Sequence, residues 1–143
     1  MVAKQLSVFI ENRQGRLGEV LSVLKSNSVN IFSLSLADTT EYGLLRLIVN
    51  DPSLGKEKLT EGGFSTMLTD VLILKINHEA GSLQGLLQIL ADNGVNIEYM
   101  YGLSIDGDEA SVVLKASDLD KADEVLAKNG VKTICLDEIC NIL

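Results

Sequence analysis

The chain has 143 residues with 12 basic and 20 acidic side chains, a formal net charge of −8 at pH 7, and 46% apolar residues. The apolar fraction excludes a disordered chain, and the acidic balance argues against nucleic acid or an anionic membrane surface as the main partner. No apolar stretch reaches the roughly 18–20 residues that span a bilayer, and no leader segment precedes the first strand, so we expect a cytoplasmic protein.

The first half of the chain begins with period-two alternation at residues 6–10 and then changes to a helical period. The apolar residues at i, i+3, i+4 and i+7 are Leu17, Val20, Leu21 and Leu24. Asp51 followed by Pro52 predicts the start of a second helix. The predicted elements are a strand at 6–10, a helix from 17, strands at 29–37 and 44–50 joined by a hairpin at 39–43, a helix from 52, and a strand at 64–69.

The second half repeats this order. The apolar stripe of its first helix consists of Leu83, Leu86, Leu87 and Leu90. Asn93-Gly94 predicts that this helix ends with a left-handed cap. Ser28 stands at the corresponding position of the first half, where it predicts a weaker cap. Further strands are predicted at 72–76, 95–105 and 110–116, and a hairpin at 106–109 joins the last two of them. A second helix follows, for which Ser117 and Asp120 predict a capping box. The last predicted strands are at 131–137 and within 139–143. The stripe of that last helix consists of Leu119, Ala122, Val125 and Leu126.

Three landmarks recur at one constant offset. Gly15 and Gly81, Leu17 and Leu83, and Asn30 and Asn96 are each 66 positions apart. The chain is therefore interpreted as two copies of one unit, at residues 1–69 and 70–143. The order β-α-β-β-α-β in each copy predicts the α+β class, as two tandem ferredoxin-like βαββαβ sandwiches.

The two cysteines, Cys135 and Cys140, fall on the predicted last strand and its extension. Five positions apart on a strand they would face opposite sides, so they are not expected to form a disulfide. We interpret them as buried thiols of a reducing compartment.

The turn between the first strand and first helix of each copy is the candidate binding site. Gly15 and Gly81 can adopt a positive φ and let a ligand approach the backbone, and the following helix offers unpaired N–H groups to a carboxylate. Asn12 and Asn30 can serve both an ammonium and a carboxylate group. The alternatives stay open that the glycines only relieve strain, that the asparagines are turn residues, and that His78 is a solvated loop residue.

Residues 12–17 (NRQGRL), the apolar stripe and residues 28–31 (SVNI) together resemble the pattern of the ACT domain. Residues 81–83 (GSL) and 94–97 (GVNI) of the second copy resemble it too. ACT domains are small regulatory modules that often sense amino acids, and in the family the ligand lies at an interface between two ACT units. The resemblance thus implies a regulatory protein with no attached catalytic domain and with an amino acid or related metabolite as ligand. We expect the interface that binds the ligand to lie within the chain or in a homodimer, and the signal to pass to a regulated protein partner.

Carried over residue by residue, the family's site falls on the strand-to-helix turn and the start of the second strand. The implied ligand-binding residues are Asn12, Gln14, Gly15, Arg16, Leu17, Asn30, Ile31, His78, Ala80, Gly81, Ser82, Leu83, Asn96 and Ile97. Gln14 and Ala80 stand where the family often has proline, and His78 replaces an Asp or Asn. The two sites are therefore expected to differ in affinity or ligand.

Two other function classes remain open. One is an interaction module without a small ligand, and the other, less favoured, is an enzyme on a ferredoxin-like fold. The sequence contains no P-loop, no G-x-G-x-x-G and no C-x-x-C, and a single histidine cannot form a His-based zinc or catalytic pair. We therefore expect no catalytic residues, no metal and no cofactor.

Overall fold

The computed structural model describes residues 2–38, 41–106 and 108–142. The elements follow the predicted order of β-α-β-β-α-β twice, which confirms two tandem ferredoxin-like α+β units. Contacts divide the chain into two compact units, Lys4–Thr69 and Asp70–Leu143 with Met1–Ala3. The elements are β1 (Ala3–Glu11), α1 (Arg16–Ser26), β2 (Ile31–Asp38), β3 (Tyr42–Val49), α2 (Pro52–Glu61), β4 (Ser65–Asn77), α3 (Ser82–Asp92), β5 (Ile97–Asp106), β6 (Glu109–Ala116), α4 (Leu119–Lys128), β7 (Lys132–Thr133) and α5 (Leu136–Ile142).

In the unit Lys4–Thr69, β3 pairs antiparallel with both β1 and β2. Leu47 lies opposite Leu6 of β1 and opposite Leu34 of β2. Because side chains alternate along a strand, one face of this sheet is apolar and receives the stripes of the two helices. The buried residues of this core include Leu6, Val8, Val20, Leu24, Leu45, Leu47, Leu59 and Phe64.

In the unit Asp70–Leu143, β6 pairs antiparallel with β4 and β5 in the same manner. Leu114 lies opposite Leu72 of β4 and opposite Met100 of β5. The buried residues of this core include Leu72, Leu74, Leu86, Leu90, Leu114, Ala122 and Leu126. Each unit therefore has its own hydrophobic core between one face of a sheet and two helices.

The structure agrees with the predicted helix ends at Asp51 and Gly94 and differs at Ser117, while the weaker cap at Ser28 stays a prediction. The Asp51 carboxylate accepts a hydrogen bond from the Leu54 N–H at 3.0 Å, with Pro52 in the first turn of α2. Gly94 follows α3 with φ +72°, and Ser28 follows α1 with φ +57°. The capping box at Ser117 is wrong, because Asp118 is the N-cap of α4 and accepts from the Lys121 N–H at 3.0 Å.

The two copies are joined by one continuous strand and not by two separate strands. The strands expected at 64–69 and 72–76 are one strand, β4, of 13 residues, and the boundary between the units falls inside it. Ser65–Asn77 contains no glycine or proline and includes several β-branched residues, which favour an unbroken extended backbone.

The C-terminal strand predictions are also wrong. The strand expected at 131–137 is reduced to the two residues of β7, which pair with Leu74 and Lys75, and the tail expected as a further strand forms α5. Asp137 and Glu138 lie in the first turn of α5, where acidic side chains favour a helix. Cys135 is thus half-buried before a helix, with its thiol 3.6 Å from a Glu138 carboxylate oxygen, and Cys140 is in α5.

The hairpins predicted at 39–43 and 106–109 include residues 39, 40 and 107, which lie outside the described residues. Their flanking strands pair as expected, since Asp38 lies opposite Gly43 and Asp106 lies opposite Glu109. The longest helices of the described ranges, α1 and α3, have 11 residues each, and none is long and apolar enough to cross a membrane.

Candidate ligand pockets

The turn from the first strand to the first helix has the same backbone in both units. Gly15 has φ +89° and ψ −15°, and Gly81 has φ +88° and ψ −13°. A Cβ added at either glycine would meet no atom within 4 Å. The positive φ therefore explains the glycine at both positions, because other L-residues are strained in this region.

In the unit Lys4–Thr69, this turn borders a pocket of about 330 Å³, called here the first pocket. On the polar side of this pocket, Arg13 Nε donates to Glu11 Oε2 at 2.8 Å. The Asn12 N–H donates to the Glu41 carbonyl oxygen at 2.9 Å. The residues that line the first pocket are Ile10, Glu11, Asn12, Arg13, Leu17, Leu36 and Gly43.

In the unit Asp70–Leu143, the same turn borders a pocket of about 500 Å³, called here the second pocket. Its apolar walls come from Ile76, Leu83, Leu103, Ala110 and Val112. Its polar residues are Asn77, His78, Glu79, Ser104 and Ser111. The His78 N–H donates to the Asp108 carbonyl oxygen at 2.6 Å, which ties the turn to the start of β6.

The two pockets are built from equivalent positions. The shared pairs, each 66 positions apart, are Ile10 and Ile76, Glu11 and Asn77, Asn12 and His78, Arg13 and Glu79, Leu17 and Leu83, and Leu36 and Gly102. At the last pair, a leucine side chain lines the first pocket where the second has glycine, which leaves more room at that wall of the second pocket. A Cβ added at Gly102 would meet no atom within 4 Å.

The structure brings only some of the sequence-predicted residues to these pockets. Asn12 and Leu17 line the first pocket, and His78 and Leu83 line the second. The turns also contain Gln14, Gly15 and Ala80, but these residues line neither pocket. A separate cavity of the second unit is lined by Gly81 and Ser82.

The predicted residues at the second strands lie elsewhere within each unit. The Asn30 N–H donates to Asn50 Oδ1 at 2.8 Å, and Asn96 Nδ2 donates to Ser117 Oγ at 3.1 Å. Ile31 and Ile97 pack against the two cores. The hydrogen bonds of Asn30 and Asn96 therefore join the residue before β2 or β5 to the residue after β3 or β6 of the same unit.

Arg16 also points away from the first pocket. Its guanidinium carbon lies 4.3 Å from the centre of the Phe64 ring, and Nη1 pairs with the Glu19 carboxylate. The Arg16 side chain is only 18% exposed, and its Nε is buried without a hydrogen-bond partner. Arg16 therefore packs beside α1 and stacks on an aromatic ring.

The pocket residues on the neighbouring strands were missed from the sequence. Gly43 lies opposite Ile10, and Ala110 lies opposite Ile76, so the small residues of β3 and β6 face the site. Two strand glycines, Gly43 and Gly102, line the pockets and are the feature that could have identified these walls, since a glycine inside a strand often marks a close approach.

The ionisable groups of the described residues offer no metal site, because no three of the His, Cys, Asp and Glu side chains are arranged to hold an ion. On α4, a hydrogen bond from Lys128 and the charge of its ammonium group lower the pKa of the Glu124 carboxyl. This pair is exposed and lies outside both pockets.

Comparison with known proteins gives a family and a set of similar folds. The sequence profile of the ACT domain pair family matches residues 1–143. A protein of known crystal structure from Bacteroides thetaiotaomicron is 40% identical, with a TM-score of 0.90 over 94% of this chain and 92% of its own.

Two more distant structures share the fold. The regulatory subunit of aspartate kinase from Thermus thermophilus, in a ligand-free form, is 16% identical with a TM-score of 0.64. The regulatory subunit of aspartate kinase from Thermus flavus is 18% identical with a TM-score of 0.60, and both comparisons cover 87% of this chain and 90% of the other. None of the curated proteins compared with this chain matches it.

Proposed function

This chain belongs to the ACT domain pair family, and from that membership we propose that it is a regulatory protein that binds an amino acid or a similar small metabolite. ACT domains are a regulatory domain type, and the fold is shared with regulatory subunits of aspartate kinase. The observation that carries the proposal is the formation of the same pocket in both units from residues 66 positions apart.

The chemistry of the second pocket suits an amino acid with an apolar side chain. Both pocket volumes, about 330 and 500 Å³, are within the range of small-molecule sites. In the second pocket, Ile76 and Val112 offer apolar contacts, the Glu79 carboxylate can accept from an ammonium group, and the Asn77 amide can donate to a carboxylate.

We propose that the site is completed in a homodimer, by an ACT unit of a second copy of the chain. Leu34 and Leu36 are each 47% exposed, and Leu83 at the rim of the second pocket is 39% exposed. Exposed apolar side chains beside a pocket favour an interface that covers them. Ligand binding would then shift the equilibrium between two packing arrangements, by an amount set by its differential affinity for them.

The remaining parts of the proposal concern the whole protein. We propose functional domains at residues 1–69 and 70–143, a cytoplasmic location, an output through a regulated protein partner, and no catalytic activity of its own. An acidic chain with a net charge of −8 is consistent with a partner other than nucleic acid or an anionic membrane.

The first experiment is a thermal-unfolding screen against the twenty amino acids at about 1–10 mM, followed by calorimetric titration of any that raise the midpoint. Gly102→Leu places in the second pocket the side chain that the first pocket has, and Gly102→Ala is the matched control for loss of the glycine. We expect Gly102→Leu to abolish the rise in the unfolding midpoint that the ligand causes, and Gly102→Ala to retain most of that rise.

Two outcomes contradict the proposal. If no amino acid raises the midpoint, the chain is better explained as an interaction module without a small ligand. If one does and Gly102→Leu leaves its affinity unchanged, the binding site is not the second pocket. Light scattering of the purified chain tests the homodimer separately.

A further inference from the structure

Strand β5 of the second unit is interrupted at a place where its counterpart β2 pairs without interruption. In the first unit, residues 33–38 of β2 pair one to one with residues 43–48 of β3. In the second unit, the paired residue of β5 changes from Gly102 to Ser104 while its partner on β6 changes by a single position. Leu103 is therefore the extra residue of a β-bulge.

The bulge corresponds to one residue that the second copy has in addition. Leu34 and Met100 occupy matching places in β2 and β5 and are 66 positions apart, as are the other landmarks of the repeat. Their partners across the ladder, Leu47 and Leu114, are 67 positions apart. The structure places the additional residue inside β5, at Leu103, and the pairs on both sides of it match those of the first unit.

The bulge lies in the wall of the second pocket. Gly102 and Leu103 both line this pocket, and Leu103 is half-buried. In the first unit, the corresponding wall is formed by Leu36, which pairs regularly with Leu45 of β3. Bulges occur next to functional sites, where they change the direction of a side chain. The second unit thus also has a leucine at this wall, but on an extra residue beside a glycine.

A bulge in this position can also serve the stability of the sheet alone. Strand β5 pairs with β6 and stands at the end of the strand order, and bulges at such edges hinder pairing with other chains. That role depends on the twist of the backbone and needs no particular side chain. Leu103, however, shares the pocket lining with other aliphatic residues, among them Ile76, Leu83 and Val112. This composition suits contact with an apolar ligand group.

We propose that Leu103 determines the specificity of the second pocket, by contacting the end of the ligand's apolar side chain and limiting its length. This inference rests on the proposed function, since it concerns the ligand of the same pocket. The ammonium group of the ligand lies at Glu79, in the turn before α3, and the side chain of the ligand extends toward β5. Gly102 leaves room at this wall, so the ligand can reach Leu103.

The proposal predicts how affinity depends on the length of the ligand. Each methylene group buried in the pocket should raise the affinity roughly fourfold, until the side chain of the ligand meets Leu103. A longer side chain has to displace the leucine and should bind no more tightly. The length at which the affinity stops rising is called here the limiting length.

The test uses the full chain in calorimetric titrations with the straight-chain L-α-amino acids from alanine to 2-aminooctanoate, which lengthen by one carbon at a time. Leu103→Ala should move the limiting length to a longer amino acid, and Leu103→Phe should move it to a shorter one. Leu103→Met keeps the volume and apolar character of the side chain and should leave the order of affinities unchanged. Deletion of Leu103 restores the pairing of the first unit and should act like Leu103→Ala.

The limiting length separates contact with the ligand from a structural role. General damage to the second unit would lower the affinity of every amino acid by one common factor and leave the limiting length where it was. Leu44→Ala is the matched control, because Leu44 is also a half-buried strand leucine but lines neither pocket. This variant should keep both the affinities and the limiting length.

The outcomes distinguish this inference from the proposed function. If Gly102→Leu abolishes binding but the Leu103 variants keep the limiting length, the second pocket is the binding site and Leu103 does not set its specificity. An affinity that rises to the end of the series also contradicts the inference, since nothing then limits the side chain of the ligand. If no amino acid of the series binds, the inference fails together with the proposed function.

Discussion

At the residue scale, the clearest difference between the two copies is the residue that ends the first helix. Ser28 has φ +57° and Gly94 has φ +72°, and the next residue closes the same hydrogen bond in both, from the Val29 or Val95 N–H to the Leu24 or Leu90 carbonyl oxygen at 2.9 Å. The backbone is therefore the same, but only glycine adopts this conformation without a steric penalty.

We expect Ser28→Gly to stabilise the protein by about 1 kcal/mol, because it removes the left-handed strain of an L-residue. Gly94→Ser is the reciprocal variant and should destabilise by a similar amount. Urea unfolding followed by circular dichroism measures both. An unchanged or lower midpoint in Ser28→Gly would show that Ser28 is not strained.

The turn glycines mark the limit of residue-level prediction. The sequence indicated that Gly15 and Gly81 begin the first helices with an unusual backbone, and their φ values of +89° and +88° agree. It could not indicate the direction of the neighbouring Arg16 side chain, because that depends on Phe64, which is 48 positions away in the sequence. Stacking across such a separation leaves no periodic pattern.

At the element scale, the predictions succeed where the local pattern determines the element. Three of the four long helices follow from their apolar spacing, and the start of α2 follows from Asp51 and Pro52. The C-terminal elements were wrong because residues 131–137 are rich in β-branched side chains, while Asp137 and Glu138 favour the start of a helix. The continuous β4 was missed because two repeats suggested a break, although neither glycine nor proline lies between the two predicted strands.

Two adjacent residues, Ser117 and Asp118, are candidates for the N-cap of α4, and substitutions can distinguish them. Asp118→Ala should destabilise by about 1 kcal/mol, because the side chain accepts from the Lys121 N–H. Asp51→Ala removes the corresponding bond to the Leu54 N–H and should have a similar effect. Ser117→Ala removes the exposed hydrogen bond from Asn96 Nδ2 but no helix cap, so it should cost less than Asp118→Ala. A larger loss of stability in Ser117→Ala would reverse the assignment of the N-cap. Chemical unfolding of the three variants gives the comparison.

At the scale of the whole molecule, the two copies keep their cores and differ around their pockets. Leu6 and Leu72, and Leu24 and Leu90, are equivalent positions that stay fully buried and apolar. Leu36 and Gly102, in contrast, differ by a whole side chain at the wall of a pocket. Because the backbones of the turns match, the difference between the sites lies in side chains, and the two sites of one chain are not equivalent.

This inequality predicts the binding stoichiometry. An amino acid with a large apolar side chain should bind the second pocket, of about 500 Å³, more tightly than the first, of about 330 Å³, because Leu36 takes up room at the wall of the first pocket, so a titration should show one strong site per chain. Leu36→Gly removes the half-exposed side chain that narrows the first pocket and should open a second class of sites, raising the stoichiometry toward two. The new sites should be weaker, because Arg13 pairs with Glu11 there at the position where the second pocket has Glu79. Calorimetric titration measures both values, and two equal sites in the unmodified chain would contradict the argument from pocket volume.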